Sequence, residues 1–351
     1  MGGSTLPGPD DLVHVDGRGL YCPAGDFHID PWKPVPRAVI THAHADHARP
    51  DMDSYLATEA SVPILRRRLH EGADIRGVPF GEQLCLGAAT VSFHPAGHVL
   101  GSAQVRVEMA GEVWVISGDY KVTPDPSCRP FELVPCDVFI TEATFALPIY
   151  TWPDSERVLD QVAAWWDGNR AAGRTSVVFS YALGKSQRLL AGLAQRVDRP
   201  VHLHGALVAI TEIYREAGVA LPKVIPVADL EPGADVSEAL VIAPPSARGT
   251  SWMRRFRKPA TALASGWMQV RGGRRRRNVD RGFVLSDHAD WNGLLQTIEA
   301  TGARRVLTTH GAADTLARYL VEERGLDAAP LETRFFGEPE GDDAAAAERN
   351  A

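Results

Sequence analysis

The sequence contains few cysteines and no long apolar segment. Four of its 351 residues are cysteine (Cys22, Cys85, Cys128 and Cys136), and no two of them form a C-x-x-C pair. This spacing argues against a zinc knuckle and a disulfide framework, and it predicts reduced, mostly buried thiols. No apolar run approaches the ~18 residues that a membrane span requires, and the first residues lack the basic-then-apolar layout of an export signal. We therefore expect a cytoplasmic protein that does not enter the membrane.

Positive charge is also scarce over the whole chain but concentrated in one segment. The net charge is −7, from 37 Lys and Arg against 44 Asp and Glu. The segment Arg248–Arg281 contains eleven Lys and Arg and one acid, so it carries +10 and leaves −17 for the remainder. Part of that negative charge lies in residues 337–351, whose acid- and alanine-rich composition predicts a disordered tail. A local basic surface on an acidic body suits phosphate binding, because counterion release depends on the contacted patch.

The residue pattern of the first 145 residues predicts a strand-rich domain with one helix near Ala60–Glu71. Strands are predicted at Arg37–Thr41, Ala89–His94, Ala103–Met109, Glu112–Ser117 and Asp137–Thr141, where β-branched residues recur. Glycines between these runs suit hairpins.

After Pro153 the pattern changes to alternating strands and helices. Asp154 is a plausible N-cap for an amphipathic helix that ends at Gly173. Strands are predicted at Thr175–Ser180, Val201–Leu203, Ala239–Ala243 and Thr261–Ser265, with helices opening at Gly184 and near Ala206. Such alternation indicates a parallel sheet.

The last section returns to short strands before polar motifs. It predicts a strand at Gly282–Ser286, a helix capped by Asp290, a strand at Arg304–Thr309 and a helix to about Arg324. The simplest layout is one α/β domain interrupted by another.

A histidine-rich loop, His42-Ala43-His44-Ala45-Asp46-His47, directly follows the predicted strand Arg37–Thr41. Imidazole and carboxylate suit zinc or manganese, and the loop offers more ligands than one tetrahedral ion needs. The alternative, a solvated polar loop with incidental histidines, is much less common in this setting. His98, Asp119 and His310 each lie just past an apolar run, where further ligands are expected. Taken singly, a buried histidine or a capping aspartate is the commoner explanation for each of them.

With its motifs in this order, the sequence resembles the metallo-β-lactamase superfamily, and within it the nucleic-acid-processing β-CASP branch, over about residues 10–330. Asp30 in HIDP matches the first motif, the histidine loop the second, His98 the third and Asp119 the fourth. Glu142 in TEATF, His288 in LSDHADW and His310 match the remaining motifs. The resemblance implies an αββα sandwich formed by residues 1–147 and 282–336, with an α/β β-CASP domain inserted at residues 148–281. Small-molecule hydrolases of the superfamily lack this insertion.

The resemblance also implies the site and its chemistry. One ion is held by His42, His44 and His98, a second by Asp46, His47 and His310, and Asp119 bridges them. Two such ions share a hydroxide nucleophile and neutralise charge on the phosphate. The implied catalytic set is Asp46, His288 as acid or phosphate ligand, Glu142 orienting a neighbour, and Asp30 orienting the histidine loop. For Glu142, simple pairing with a cation is the alternative.

Basic side chains are expected to hold the substrate strand. Lys185 and Arg188 follow Gly184 at a predicted helix N-terminus, where phosphates bind readily. Arg254 and the run Arg274, Arg275, Arg276 and Arg277 are expected to line a groove, although a charge run is more often a solvated face. Trp252 and Trp267 are candidates for base stacking, with core packing the commoner role.

The choice between DNA and RNA depends on two signals that disagree. Histidine at position 310 is typical of RNA-cutting β-CASP proteins. The longer stretch DGRGLYCPAGDFHIDPW, with AVITHAHADHARP, looks most like bacterial ligase-associated DNA exonucleases, which accompany a DNA ligase and a helicase. We therefore expect a DNA repair exonuclease acting on single strands or free ends. An RNA-processing endonuclease or exonuclease is the alternative, and a binding scaffold with a degenerate site is disfavoured because all seven ligands are present.

Overall fold

The computed structural model describes residues 6–8, 10–231, 233–270 and 278–335. Within these residues the chain forms two compact units. The first comprises residues 6–124, 129–148 and 288–335, and the second comprises residues 125–128 and 149–287. Among the helices of this described part, none combines the length and the apolar character needed to cross a bilayer.

The strands, in chain order, are β1 (His14–Val15), β2 (Leu20–Cys22), β3 (Phe27–Ile29), β4 (Ala38–Val39), β5 (Tyr55–Thr58), β6 (Ile75–Val78), β7 (Leu84–Leu86), β8 (Ala89–Pro95), β9 (Ala103–Met109), β10 (Glu112–Ile116), β11 (Val138–Glu142), β12 (Ser176–Phe179), β13 (Val201–Leu203), β14 (Val224–Pro226), β15 (Leu240–Ala243), β16 (Ala260–Ala264), β17 (Arg281–Phe283), β18 (Arg305–Thr309) and β19 (Asp327–Pro330). The α-helices are α1 (Val62–Arg68), α2 (Ser155–Ala171), α3 (Lys185–Leu193), α4 (Gly205–Glu216), α5 (Trp291–Thr301) and α6 (Ala313–Arg324).

The first unit contains two sheets that share one apolar core. Strands β1 to β6 form a six-stranded sheet, and a seven-stranded sheet has the order β19-β18-β11-β10-β9-β8-β7. Phe27 and Ile29 of the first sheet and Phe93, Trp114 and others of the second belong to one buried cluster. Burying each such side chain contributes roughly 1.5–3 kcal/mol, which holds the sheets face to face.

Helices cover the other face of the seven-stranded sheet. Leu294 and Ile298 of α5 and Leu316 and Leu320 of α6 are buried in a second cluster with strand residues such as Phe139. Asp290 caps α5 by accepting a hydrogen bond of 2.8 Å from the N–H of Gly293. This unit therefore has three successive layers: the six-stranded sheet, the seven-stranded sheet, and the helices α5 and α6.

The second unit is built on a sheet of six parallel strands in the order β14-β13-β15-β12-β16-β17. Side chains of α2, α3 and α4 bury one face of it, including Val162, Trp166, Leu190 and Leu207. Asp154 caps α2 by accepting from the N–H of Glu156 at 2.9 Å. The alternating pattern after Pro153 thus gives the parallel sheet that it predicts.

Two expectations need correction. Strand β17 pairs with β16 in the sheet of the second unit, so the chain returns to the first unit at His288 and not at residue 282. The cause is that an apolar edge strand next to a polar motif has the same pattern in either unit. The thiols are free but not mostly buried, since Cys85 is exposed and Cys128 and Cys136 are half-buried. The tail at residues 337–351 lies outside the described residues.

Candidate metal centre

Parallel strands bring four candidate residues to one edge of the seven-stranded sheet. Strands β18, β11 and β10 are parallel neighbours, so their carboxyl ends meet at the same edge. Asp119, Glu142 and His310 lie at or just beyond these ends. Strand β8 is antiparallel to β9, which is antiparallel to β10, so the chain after β8 carries His98 to the same edge.

The histidine loop enters from the other sheet. It follows β4, whose parallel neighbour β3 ends next to Asp30. Asp30 is 2% exposed and accepts hydrogen bonds from the Thr41 N–H at 2.8 Å and the Thr41 hydroxyl at 2.6 Å. The carbonyl of Thr41 accepts from the N–H of Ala103, at the start of β9, at 2.8 Å. Main-chain bonds therefore join the two sheets at the edge where the candidate ligands collect.

The orientation of two histidine rings follows from these bonds. The Nδ1–H of His47 donates to Asp30 at 2.7 Å. The Thr41 hydroxyl proton is directed to Asp30, so the 3.1 Å contact between Thr41 Oγ1 and His42 is a bond donated by the His42 Nδ1–H. Both rings then present an Nε2 lone pair to the centre, as metal ligands do.

A first donor group consists of His42, His44, His98 and Asp119. His44 Nδ1 lies 3.1 Å from His42 Nε2 and 3.1 Å from His98 Nε2. Ligands ~2.0–2.1 Å from a tetrahedral ion are about 3.3–3.4 Å apart. This spacing is therefore the one expected around a single ion.

A second donor group consists of Asp46, His47 and His310. Their facing atoms are close: His47 Nε2 lies 3.2 Å from His310 Nε2 and 3.7 Å from Asp46 Oδ2. Two imidazole lone pairs at this distance repel each other unless a proton or a cation lies between them.

Asp119 reaches both groups. Its Oδ2 is 3.5 Å from His42 Nε2 and 3.7 Å from His47 Nε2, and its Oδ1 is 3.8 Å from His310 Nε2. Oδ1 is buried and has no hydrogen-bond donor among the described residues. Burial raises the pKa of Asp119 to about 7, and Glu142 adds to the rise while His47 opposes it. A cation on each side would satisfy this carboxylate.

The charge state of the histidines also fits metal binding. Burial lowers the pKa of His42 and His310 well below the usual value, and neighbouring histidines lower it further, so both rings are neutral at neutral pH. Burial also opposes protonation of His47, but the carboxylates of Asp46, Asp119 and Asp30 raise its pKa to about 10. A metal ion would replace that proton. Seven donors in two groups, with neutral rings at His42 and His310 and a carboxylate that reaches both groups, fit the binding of divalent metal ions.

Strained backbone positions two of these ligands. His310 has φ 63° and Gly311 φ 47°, and a Cβ at Gly311 would lie 2.5 Å from the carbonyl oxygen of Ala143. Gly118, before Asp119, has φ 56°, and a Cβ there would lie 2.7 Å from the side chain of Thr41. Residues other than glycine rarely adopt positive φ values. Such backbone conformations persist where the surrounding structure enforces them, often at functional sites.

Glu142 and His288 form a buried pair beside the donor groups. The His288 Nδ1–H donates to Glu142 Oε2 at 2.9 Å, and Glu142 Oε1 accepts from the N–H of Tyr120 at 2.8 Å. The His288 ring lies 4.7 Å from the ring of His98, centroid to centroid. Glu142 thus fixes the orientation of the His288 imidazole.

Sequence reasoning missed an aromatic contact at this centre. The ring of Phe335 stacks on His310 at 4.5 Å and on His47 at 4.9 Å, with interplanar angles of 6° in both cases. Trp32 packs edge-on against Phe335 at 5.8 Å. A phenylalanine in the Phe335-Phe336 pair that follows β19 carries no signal of this role in the sequence.

The residues predicted to contact nucleic acid do not collect at one place as the candidate metal ligands do. Lys185 is fully buried, with its Nζ 3.1 Å from Asp287 Oδ1, and Arg188 is 5% exposed, with its Nε 3.3 Å from Asp125. In this structure neither side chain reaches solvent to meet a strand. Arg254 is exposed, while Arg274, Arg275, Arg276 and Arg277 lie outside the described residues. Trp252 and Trp267 are half-buried, and each packs against another aromatic ring, namely Phe256 and Tyr150.

Comparison with known proteins gives several relatives, although no protein-family model matches the chain. A protein named probable DNA ligase from Opitutus terrae is 36% identical over 313 residues, which are 89% of this chain and 30% of that protein. Ribonuclease TTHA0252 from Thermus thermophilus is 32% identical over 34% of this chain and 34% of its own length. Cleavage and polyadenylation specificity factor 73 of Drosophila melanogaster is 26% identical over 55% of this chain and 30% of its own length. The chain thus spans about a third of the length of these relatives.

A solved structure shares the fold. A protein of unknown function from Enterococcus faecalis superposes with a TM-score of 0.56 over 78% of this chain and 74% of that one, at 12% identity. At this identity the likeness concerns the fold alone.

Proposed function

This chain belongs to the β-CASP branch of the metallo-β-lactamase superfamily, and we propose that it is a two-metal phosphodiesterase that hydrolyses nucleic acid, with DNA as its substrate. The observation that carries the proposal is the pair of donor groups that share Asp119. We assign the first unit to the αββα sandwich of the superfamily and the second to the inserted β-CASP domain. Facing sheets with helices outside them support the first assignment, and a parallel α/β sheet supports the second.

His42, His44 and His98 would hold one ion and Asp46, His47 and His310 the other, with Asp119 shared. Two bound divalent ions would supply a hydroxide nucleophile at neutral pH and neutralise charge on the phosphoryl oxygens. Asp30 and Thr41 keep the Nδ1 protons of His47 and His42 away from the centre, so that both rings remain ligands.

We assign His288 as the general acid that donates a proton to the leaving oxygen. Glu142 holds the proton on Nδ1 and stabilises the charged form of the ring, so the protonated ring offers its Nε2–H to an oxygen that leaves the phosphate. Tyr120 fixes Glu142 in turn through its main-chain N–H. Glu142 is therefore a positioning residue and His288 the acid.

DNA is favoured over RNA because the match that covers most of this chain is to a protein named probable DNA ligase. That name also supports work beside a DNA ligase. DNA repair, a helicase as a further partner, and exonucleolytic attack on single strands or free ends belong to the proposal through the resemblance of the sequence. The alternative is an RNA-processing nuclease, which is favoured by His310 and by relatives named as ribonucleases. The four free cysteines are in keeping with a reducing compartment such as the cytoplasm.

The proposal is tested by a digestion time course with end-labelled single-stranded DNA and matched RNA, with added manganese or zinc. We expect metal-dependent cleavage, faster on DNA, and loss of cleavage in His44→Ala and Asp119→Ala with circular dichroism unchanged. His94→Ala is the matched control, because His94 pairs with Glu132 outside both donor groups. Retained metal-dependent turnover in either ligand variant would remove the site assignment. Faster cleavage of RNA would favour the alternative substrate.

A further inference from the structure

Three arginines of the first unit contact the metal centre or its immediate surroundings. Arg68, at the end of α1, donates to the carbonyl oxygen of Ala43, within the histidine loop. Arg49 donates from Nε to the carbonyl oxygen of Asp46 at 3.4 Å and from its NH2 group to the carbonyl oxygen of Arg334 at 3.1 Å. Arg334 directly precedes Phe335, whose ring stacks on His47 and His310. The guanidiniums of Arg49 and Arg68 therefore contact the histidine loop, and Arg334 joins this region through its main-chain carbonyl.

The charge of this trio is not neutralised by carboxylates. The bonds of Arg49 and Arg68 go to carbonyl oxygens, and among the described residues none of the three guanidiniums forms an ion pair. Burial lowers the pKa of both Arg49 and Arg68, while Asp46 is the acidic group that raises it. Asp46 belongs to the second donor group, so its charge would be shared with an ion. The Arg49 guanidinium also lies against the main chain of Arg334, whose carbonyl oxygen accepts its bond at 3.1 Å.

A guanidinium that bonds only to carbonyl oxygens keeps its full positive charge, so an anion at its remaining N–H groups is stabilised. Arg334 is exposed and Arg49 and Arg68 are half-buried, so all three retain contact with solvent. A guanidinium offers five N–H donors in a planar fork, and one or two bonds to carbonyls leave donors for a phosphate.

We propose that Arg49, Arg68 and Arg334 form a phosphate-binding rim that holds the phosphodiesters next to the one being cut. The inference rests on the proposed phosphodiesterase function. It adds to that function the surface of the first unit along which the nucleic-acid strand would lie. The rim recognises the backbone of a polyanionic strand, which DNA and RNA share, and it does not read bases.

The test distinguishes binding of the neighbouring phosphates from hydrolysis of the reacting phosphate. Arg49→Met, Arg68→Met and Arg334→Met are each compared with wild type on a single-stranded oligonucleotide and on bis(p-nitrophenyl) phosphate, a diester without neighbouring phosphates. We expect KM for the oligonucleotide to rise, the salt dependence of strand binding to flatten by about 0.7 in logarithmic slope per arginine, and hydrolysis of the small diester to stay at the wild-type rate. The controls are Arg66→Met and Arg67→Met, which remove exposed charges from the same helix end and should change the slope less.

Metal content, measured by mass spectrometry, gives a readout independent of turnover. A variant that loses metal and hydrolysis of the small diester would show that its arginine braces the loop, which overturns the rim at that position. A variant with the salt slope and KM of the Arg66→Met control would overturn it as well. Wild-type protein that cleaves neither substrate would remove the proposed function itself, a result distinct from both.

Discussion

Replacing Asp30 by asparagine should weaken the second ion more than the first. Asp30 accepts three hydrogen bonds of 2.6–2.8 Å, two from Thr41 and one from His47. An asparagine of the same shape has one accepting oxygen, so its NH2 group must face either the Thr41 N–H or the Oγ1 and Nδ1 side. If it faces His47, Nδ1 must accept, and the ring proton moves to Nε2, where it competes with the ion.

The expected loss of metal affinity follows from the contribution of a hydrogen-bond partner to a ligating histidine. Loss of an outer partner of a ligating histidine typically costs 10–100-fold in metal affinity, or about 1.4–2.8 kcal/mol. We expect this loss at the group of Asp46, His47 and His310. The first group should lose less, because Asp30 reaches it only through the bond between Thr41 and His42.

Competition titration against a chromophoric chelator measures the two affinities separately. Asp16→Asn is the matched control, because Asp16 accepts from His28 Nε2 at 3.0 Å in the same unit but away from the donor groups. Asp30→Asn protein that binds both ions as tightly as wild type would refute the reasoning. An equal loss in Asp16→Asn would show that the effect is one of general stability.

Three further predictions concern stability and reactivity. Gly118→Ala should lower the melting temperature by more than Gly111→Ala, because both glycines have positive φ but only the new Cβ at Gly118 meets Thr41; equal shifts in thermal denaturation would contradict the clash. Removing metal with a chelator should destabilise the protein by about 2.7 kcal/mol per site if each ion is normally present at 100 times its dissociation constant, and an unchanged melting curve would count against bound ions. At pH 8 iodoacetamide should label exposed Cys85 well before Cys136, whose pKa burial raises to about 12, and equal rates by mass spectrometry would be inconsistent with that burial.

The sequence predicted the elements best where one pattern dominated. Helix α2 begins after Asp154 as its capping residue requires, and the strands that precede each candidate ligand lie within two residues of their expected ends. Short strands such as β1 and β4, with two residues each, were missed or overextended, since two residues carry no measurable periodicity. The return of the chain to the first unit is expected too early because the pattern of β17, an apolar edge strand before a polar motif, fits either unit.

The composition of the candidate site was predictable, but its supporting contacts were not. Histidine and aspartate after apolar strands are a local signal, so the donor residues could be named without coordinates. Phe335 and Arg68 reach the candidate site from distant parts of the chain, and nothing in their own neighbourhood marks them. Arg49 adjoins the histidine loop in sequence, but its bond to the carbonyl of Arg334 is not visible there. Lys185 illustrates the converse, because a lysine at a helix start suggests phosphate binding until its burial beside Asp287 is known.

The pairing of β11 with β18 has a consequence for the time at which the candidate metal centre becomes complete. Val138 pairs with Arg305, 167 positions later, while all donors of the first group precede residue 120. A growing chain that leaves the ribosome at about 5–20 residues per second can gather those first donors many seconds before His310 is synthesised. A nascent or truncated polypeptide that stops short of residue 310 would therefore hold six of the seven donors and lack the histidine that follows β18, so the proposed two-metal site would stay incomplete until that residue is added.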